Sequence, residues 1–401
     1  RGDDVVIPRG TVHLFGSRVL WDGACYERLR IHNFGQETVE FILTLGFDAD
    51  FADIFEVRGI RRERRGDRRP GHVDREAVTL TYQGLDGPLR CARIAFDPIP
   101  TRLGESAAEY NVRLERRGEF TFRWTLACSV DGPPRGAVPQ ATPRTAPRAG
   151  DGTPEVLWYE GAVRAATDAL ARARAEEPEV VTSNEQFNDW LNRSLADLRM
   201  LRTDTPYGPY PYAGVPWFSA AFGRDGIITG LECLWFNPAV ARGVLQYLAA
   251  TQAVDEDAER DAQPGKILHE ARFGEMAALG EVPFGRYYGT IDATPLFVLL
   301  AGAYYLRTAD LDFARTLWPH ADRALGWIDR YGDADGDGFV EYARRSRRGL
   351  VNQGWKDAQD SVFHDDGTLA EPPIALCEVQ GYVYAARLAA ATVAEALGMT
   401  R

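Results

Sequence analysis

Hydrophobic and polar residues alternate at every second position in three stretches near the start of the chain. The stretches are 37–47, 78–82 and 120–126. A period of two places alternate side chains on opposite faces of a strand, so each stretch is predicted to be a half-buried β-strand. Turn-forming pairs such as Asp86–Gly87 separate them. Short strands with regular turns are typical of an antiparallel β-sandwich, which we predict for residues 1–130.

The composition changes abruptly between residues 131 and 154. This stretch contains six prolines among Gly, Ala, Thr and Arg, and it has almost nothing to bury. Proline-rich segments of this kind are extended and semi-rigid. We therefore interpret residues 131–154 as a linker between two domains.

Beyond the linker, apolar residues recur every three to four positions, which is the period of an amphipathic helix. Ser183, followed three residues later by Gln186, predicts a helix that begins with a capping box. Polar, aromatic-rich loops precede the helices near residues 225, 292 and 378, a pattern that indicates helical hairpins whose alternate helices begin at one shared polar face. The helices predicted within residues 155–401 are 157–175, 183–198, 225–235, 238–252, 293–307, 310–330 and 377–397.

The length and charge of the chain narrow the classes of function. At 401 residues it exceeds the usual domain size of ~150, and two domains are expected. The net charge is −12, from 46 basic and 58 acidic residues, so no overall field attracts nucleic acid or an anionic membrane. The basic run Arg58–Arg69 has no interleaved aromatic residues and is interpreted as a solvated loop or hairpin. No apolar run reaches the ~18 residues of a membrane span.

Cysteine usage indicates the compartment. The five cysteines are scattered without CxxC or CxH spacing. A sparse, odd set of this kind predicts neither a disulfide framework nor a zinc site. We therefore expect a reducing, cytoplasmic location.

Five clusters combine carboxylates, amides and cations with Trp, Tyr or Phe. They lie at 216–225, 265–275, 286–294, 352–360 and 377–382. Sugars require this mixture, because hydroxyls need polar partners while the apolar ring faces stack on aromatic side chains. The composition of the clusters therefore favours a carbohydrate ligand, with ordinary buried salt bridges as the alternative.

Taken singly, the clusters leave alternatives open. Asp225, next to Arg224, is either the N-cap of a helix or a ligand-binding residue. His269 has no second histidine at metal-ligand spacing, so no metal is expected there. Asp357 belongs either to a surface dipeptide with Lys356 or to a desolvated site with a raised pKa, since Trp355 and two amides flank it.

Taken in order, the clusters resemble the amylo-α-1,6-glucosidase part of glycogen-debranching-type proteins and, more distantly, trehalases and glucoamylases. The motifs that carry this resemblance are GKILHE at 265–270, YYGTIDATPLF at 287–297 and GLVNQGWKD at 349–357. The resemblance covers roughly residues 214–398, and the preceding β-region looks like the N-terminal sandwich of bacterial members. It implies an N-terminal antiparallel β-sandwich followed by an (α/α)6 toroid.

The resemblance also implies a reaction, the inverting hydrolysis of an α-glucosidic bond. In that reaction an acid protonates the glycosidic oxygen while a carboxylate ~6.5–9.5 Å away activates water. Asp357 matches the general acid, and Asp360 is the less favoured alternative. Arg224 and Asp225 match an Arg–Asp pair that binds hydroxyls of the terminal glucosyl unit. The other expected substrate-binding residues are Trp217, His269, Glu270, Tyr287, Tyr288, Asp292, Trp355, Lys356, Glu378 and Gln380.

The family's general base is a glutamate in the C-terminal half of the barrel. Six or seven predicted helices are about half of the twelve that a complete barrel requires, and neither Glu270 nor Glu378 matches the base motif. We therefore expect the toroid to be incomplete in this chain and the base to lie beyond residue 401. An inverting phosphorylase and a non-catalytic glucan-binding fragment are the alternative functions. In each case the expected partner is an oligo- or polysaccharide, and no cofactor, nucleic acid or membrane is expected.

One further motif resembles a calcium loop. Asp333, Asp335 and Asp337 alternate ahead of Gly338 and Glu341. An EF-hand needs a glutamate at loop position twelve, where this chain has an arginine. We therefore predict a turn ahead of a short β-hairpin, with a calcium site of another type as the alternative.

Overall fold

The alternating stretches form antiparallel strands in the computed structural model, which describes residues 7–131, 158–175 and 177–399. Residues 7–131 and 158–175 form one unit, and residues 177–399 form a second. Apart from Asp131, the predicted linker lies outside the described residues. The strands of the first unit are β1 (Val12–Trp21), β2 (Ala24–Asn33), β3 (Val39–Gly46), β4 (Asp67–Val73), β5 (Ala77–Gln83), β6 (Leu89–Asp97), β7 (Arg102–Leu103), β8 (Ala107–Leu114) and β9 (Glu119–Asp131).

These strands form two sheets that pack face to face. The larger sheet has the order β1-β2-β9-β6-β5-β4, and the smaller has the order β3-β8-β7. Neighbouring strands in both sheets are antiparallel. Ile31, Phe96 and Phe122 of the larger sheet share one buried core with Tyr110 and Val112 of the smaller sheet. The predicted antiparallel β-sandwich is therefore confirmed.

Two helices complete the first unit. Helix α1 (Ile54–Val57) is a single turn, and the basic run continues from it as a loop before entering β4. Helix α2 (Tyr159–Ala175) contacts β1 and β2. Its Glu160 forms ion pairs with Arg28 at 3.4 Å and Arg123 at 3.0 Å, both on the larger sheet. The first helix predicted after the linker is thus grouped with the sandwich rather than with the other helices.

The second unit is mainly helical. Its helices are α3 (Glu185–Leu201), α4 (Gly223–Cys233), α5 (Pro238–Ala250), α6 (Glu275–Ala278), α7 (Ala293–Thr308), α8 (Leu311–Tyr331) and α9 (Cys377–Ala396). Two short antiparallel pairs join β10 (Arg202–Thr205) to β11 (Gly208–Pro211) and β12 (Ala221–Phe222) to β13 (Glu270–Ala271). None of the described helices combines the length and apolar character needed to cross a membrane.

The predicted start of α3 is wrong by one or two residues. Asn184, not Ser183, is the N-cap, and its side chain accepts a hydrogen bond of 3.2 Å from Phe187 N. Asparagine caps as well as serine does, so a sequence with both residues in succession does not decide between them. The capping box from Ser183 to Gln186 does not form.

Alternate helices of the second unit lie side by side. Helices α4 and α5 form one hairpin and α7 and α8 another, while α4 contacts α7 and α7 contacts α9. Leu245, Phe297 and Leu317, from α5, α7 and α8, lie in one buried core. The segments that precede α4, α7 and α9 contain the polar, aromatic-rich clusters, so these clusters meet at one end of the three helices. Closure of the helices into a toroid stays a prediction.

Candidate functional site

The site is built around the first turn of α4. Strand β12 pairs with β13, so that Phe222 lies opposite Glu270, and Gly223 N donates to His269 O at 2.8 Å. A Cβ at Gly223 would overlap the carbonyl oxygen of Leu268, so the two segments approach this closely only with glycine there. The pairing places Arg224 beside the His269–Glu270 segment.

Arg224 joins three of the five clusters. Its side chain is buried, and Nη1 donates to Asp292 Oδ2 at 3.1 Å and to Gly354 O at 2.8 Å. Its Nη2 lies 3.5 Å from Asp357 Oδ2, and its Nε lies 4.0 Å from Asp225 Oδ2. The structure therefore brings together four predicted site residues from three clusters, namely Arg224, Asp225, Asp292 and Asp357.

The carboxylates of this group differ in their access to solvent. The side chains of Asp225 and Asp357 are 39% and 43% exposed, whereas those of Asp292 and Glu270 are 1% and 7% exposed. Asp292 also accepts a hydrogen bond of 2.6 Å from Thr290 Oγ1. Asp292 therefore forms a buried pair with Arg224, and Glu270 forms one with Arg272. Asp225 and Asp357 are the carboxylates that a ligand can reach.

Burial, with a smaller contribution from neighbouring carboxylates, raises the pKa values of two carboxyl groups of the site. Burial raises the pKa of Asp225, Arg224 opposes this, and the neighbouring Asp292 and Asp357 raise it further. Burial likewise raises the pKa of Glu270 against the opposing effect of its partner Arg272, and Asp357 and Asp225 add to the increase. Like charges disfavour one another's ionised forms, so the neighbouring carboxylates act in the same direction as burial at these two residues.

Two tryptophans lie over the arginines of the site. The guanidinium of Arg224 is 5.6 Å from the ring centre of Trp355, and that of Arg272 is 4.2 Å from the ring of Trp217. Arg272 also donates to Trp217 O at 2.6 Å and to Glu270 Oε2 at 2.5 Å. Cation–π contacts place each indole against a guanidinium group. Arg272 was not predicted as a site residue, although it lies only two residues after Glu270 in the same cluster.

Three residues predicted to bind substrate have their polar groups bonded within the protein. Tyr287 Oη donates to Asp261 Oδ2 at 2.8 Å, and Tyr288 Oη donates to Thr251 O at 2.7 Å, both in buried surroundings. The side chain of Gln380 accepts from the amide of Val340 at 2.9 Å and donates to its carbonyl at 2.7 Å. The structure does not bring these polar groups to the carboxylates around Arg224, because the fold already uses them.

Two further predicted residues, Lys356 and Glu378, form no hydrogen bond to Arg224 in the part of the chain that the structure describes. Lys356 is exposed. Glu378 is partly buried in the first turn of α9, where Cys377 Sγ donates to it at 3.5 Å. One turn further on, Tyr382 was missed, and its pKa is raised by burial and then by Asp292 and Glu378. Its spacing of four residues from Glu378 on a helix is the signal that could have identified it.

Two expectations for the aspartates need correction. Asp225 is not a helix N-cap, because α4 begins two residues earlier, after Phe222. The desolvated surroundings expected for Asp357 are not present, because the neighbouring Trp355 is 66% exposed. The two flanking amides point elsewhere: Asn352 donates to Ala358 O at 2.8 Å, and Gln353 donates to Asp261 Oδ2 at 3.2 Å.

His269 is buried next to Glu270, and its ring nitrogen Nδ1 has no hydrogen-bond partner. It is 3% exposed, and its ring contacts those of Phe222 and Tyr287. Burial, together with the neighbouring cations Arg224, Lys266 and Arg272, lowers the pKa of His269 to about 3. The imidazole is therefore neutral and supports the site as packing.

The motif that resembles a calcium loop forms a series of turns held by side-chain-to-backbone hydrogen bonds. Among the described residues, Asp333, Asp335 and Glu341 could approach one cation, with ligand atoms within 4.8 Å of one another. However, Asp333 accepts from two backbone amides of the loop, at 2.7 and 3.0 Å, and Glu341 accepts from two others, at 3.0 and 3.2 Å. The predicted hairpin does not form, because Tyr342 instead bridges to Ile374.

Comparisons with known proteins agree with the architecture. Residues 1–125 match the family model of the N-terminal domain of (some) glycogen debranching enzymes. This domain confirms the resemblance to glycogen-debranching-type proteins. A search of curated proteins finds no match to the chain.

Among solved structures, the chain is similar to one described as a kojibiose phosphorylase from the human microbiome. The identity is 11% and the TM-score 0.51, over 80% of this chain and 43% of that chain. A second similarity is to a GH78 family rhamnosidase of Bacillus sp. GL1, at 11% identity and a TM-score of 0.38, over 98% of this chain and 31% of that chain. The chain thus spans less than half the length of either structure, and the first similarity concerns the fold alone.

Millimolar calcium is expected to leave the melting temperature unchanged, because backbone amides already occupy the carboxylates of Asp333 and Glu341. Thermal melting with calcium, and with magnesium as the control, measures this. A rise specific to calcium that Glu341→Gln abolishes would establish a calcium site instead.

His269 is expected to make the protein less stable as the pH falls. The unfolded chain binds a proton at this residue near pH 6.5, and the folded chain binds it only near about 3. Between these values the unfolded state holds more protons, so the free energy of unfolding falls with pH, by at most ~1.4 kcal/mol per pH unit. In denaturant titrations from pH 7 to 4, His269→Gln should flatten this dependence. The exposed control His72→Gln should retain it, and equal slopes for wild type and His269→Gln would contradict the assignment.

Proposed function

We propose that this protein is a glycoside hydrolase that cleaves α-glucosidic bonds with inversion. Asp357 is the proposed general acid, and Arg224 and Asp225 are proposed to bind the terminal glucosyl unit. The observation that carries the proposal is the meeting of Asp225, Asp292 and Asp357 around one arginine, beside the exposed indole of Trp355. The debranching-type N-terminal domain supports a carbohydrate-active enzyme as the class.

The charge of the site suits the reaction. With Asp357 protonated as the proposed acid, the carboxylates of Asp225 and Asp292 and the guanidinium of Arg224 leave one excess negative charge. The transition state of glycoside hydrolysis resembles an oxocarbenium ion, which carries positive charge, so this excess stabilises it. Asp357 is close enough to Arg224, at 3.5 Å, to be held in place, and its side chain is open to a ligand.

Hydrolysis is favoured over phosphorolysis by the pairing of the arginines. Arg224 is bonded to Asp292, and Arg272 is bonded to Glu270. A phosphate nucleophile would bring further negative charge to a site in which both cations are already paired with buried carboxylates. Water carries no such cost. An inverting phosphorylase therefore remains the second hypothesis.

The family resemblance implies a glutamate as the general base, and no described glutamate of the site is proposed for this role. Glu270 is a poor base for water because it is 7% exposed and bonded to Arg272 at 2.5 Å. The proposed substrate is an α-glucan or an α-glucoside, with no cofactor. A cytoplasmic location is part of the proposal and rests on the cysteine pattern alone.

Asp357→Asn is expected to lower kcat on a natural glucan by ~10²–10⁴-fold, the usual contribution of a positioned proton donor. Binding should persist, because the amide keeps the shape of the carboxyl group. A glucosyl fluoride has a leaving group that needs little protonation, so its turnover should be partly restored. Steady-state kinetics with both substrates, on the protein in its natural full length, measure this.

Two matched variants separate the roles. Asp360→Asn changes an exposed aspartate three residues away and should retain near-wild-type turnover. Asp225→Asn should weaken binding equally for both substrates. If Asp225→Asn showed the dependence on the leaving group and Asp357→Asn did not, Asp225 would be the acid. Glucan binding without turnover by the wild type would indicate a binding protein, and turnover that requires phosphate would indicate a phosphorylase.

A further inference from the structure

The segment 345–357 carries the proposed acid although it has no regular helix or strand. Because the segment lacks the regular backbone hydrogen bonds of a helix or sheet, its conformation depends on individual hydrogen bonds. Several of these bonds lead to one residue, Asp261, which is 84 to 92 residues away in sequence. Asp261 is 1% exposed.

The carboxylate of Asp261 accepts four hydrogen bonds. Its Oδ1 accepts from Arg345 N at 2.6 Å and from Ser346 N at 3.0 Å. Its Oδ2 accepts from Tyr287 Oη at 2.8 Å and from Gln353 Nε2 at 3.2 Å. A carboxylate only accepts, so all four donors are satisfied together, whereas an asparagine would place an NH2 group against at least one of them.

The start and the middle of the segment are held in this way. Arg345 and Ser346 bond to Asp261 directly. In the middle, Leu350 N donates to Tyr287 Oη at 2.8 Å, and this hydroxyl in turn donates to Asp261.

Gln353 connects Asp261 to the site. The side-chain amide of Gln353 donates to Asp261. Its backbone carbonyl accepts from Ile291 N at 2.7 Å, and Ile291 immediately precedes Asp292. The following carbonyl, of Gly354, accepts from Arg224 Nη1 at 2.8 Å. Of the two residues that Arg224 binds through Nη1, Gly354 follows Gln353 in sequence, and Asp292 follows Ile291, which bonds to Gln353.

We propose that Asp261 is a positioning residue for the reaction, which holds the segment 345–357 so that Asp357 stays against Arg224. This inference rests on the proposed role of Asp357. Asp261 itself touches neither the accessible carboxylates nor the substrate. It acts through Gln353 and Tyr287.

The first test compares Asp261→Asn with Asp310→Asn. Asp310 forms an ion pair of 2.5 Å with Arg242, so Asp310→Asn also removes a charge from a pair, but at another place, while its amide oxygen can still cap α8. Per folded molecule, Asp261→Asn should lower kcat on a natural glucan by ~10²-fold, the effect of a small misplacement of a catalytic group. A glucosyl fluoride should be affected less, and Asp310→Asn should retain wild-type kcat on both substrates.

A double-mutant cycle tests the route through Gln353. Because Gln353→Ala removes one of the bonds through which Asp261 acts, the double variant Asp261→Asn/Gln353→Ala should lose no more kcat than Asp261→Asn alone. Multiplicative losses would show that the two residues act independently and would overturn this route.

Hydrogen exchange tests the hold on the segment without any activity. In the 401-residue chain, the amides of Arg345, Ser346 and Leu350 should exchange faster in Asp261→Asn than in the wild type, and Asp310→Asn should leave them protected. If Asp261→Asn does not fold, Gln353→Ala replaces it, with a smaller loss of kcat and the same preference between substrates.

The outcomes distinguish the inference from the proposed function. If Asp357→Asn loses activity while folded Asp261→Asn, or Gln353→Ala in its place, retains wild-type kcat on both substrates, Asp261 is not a positioning residue. An equal loss on both substrates would likewise reduce its role to general stability. If Asp357→Asn is itself fully active, the proposed acid is wrong, and faster exchange at Arg345 and Ser346 still shows whether Asp261 holds the segment.

Discussion

The buried guanidinium of Arg224 is the constraint on which the site depends. A cation removed from water is costly unless charged and polar partners surround it. Its partners come from segments 68 and 130 residues further along the chain, Asp292 at the start of α7 and Gly354 in the loop before α9. Satisfying this one side chain therefore requires that α4 and α7 begin at the same end of the unit and that the loop returns to it.

That requirement also separates the carboxylates by role. Asp292 and Glu270 are buried against arginines, and they neutralise cations that the interior could not otherwise hold. Asp225 and Asp357 lie on the open side of the same arginine, with side chains 39% and 43% exposed. The buried pair provides the framework, and the exposed pair provides the chemistry proposed here. In the proposed function, the tryptophans over Arg224 and Arg272 would offer a sugar ring apolar faces on which to stack.

Two independent parts of the chain point to the same class of protein. The motifs that resemble debranching-type proteins lie in the helical unit, whereas the family match covers residues 1–125 of the sandwich. Because neither part depends on the other, their agreement is stronger support for a carbohydrate-active enzyme than either alone. The fold does not decide between hydrolysis and phosphorolysis, since function belongs to the site rather than to the fold. The proposal of hydrolysis rests instead on the pairing of Arg224 with Asp292 and of Arg272 with Glu270.

The sequence alone predicted part of the strands, the long helices and most of the members of the site. Alternation predicted β3, β5 and β9, helical periodicity predicted the long helices, and the clusters of polar and aromatic residues contained Arg224 and the three aspartates that meet around it. These features are local, because the direction of a side chain follows from its neighbours along the chain. Only the tertiary structure decided which groups remain accessible. The hydroxyls of Tyr287 and Tyr288 are bonded in the interior, the surroundings of Asp357 are open, and Asp261 has its partners 26 to 92 residues away. Burial and hydrogen-bond partners depend on segments that are distant in sequence, and no local pattern records them.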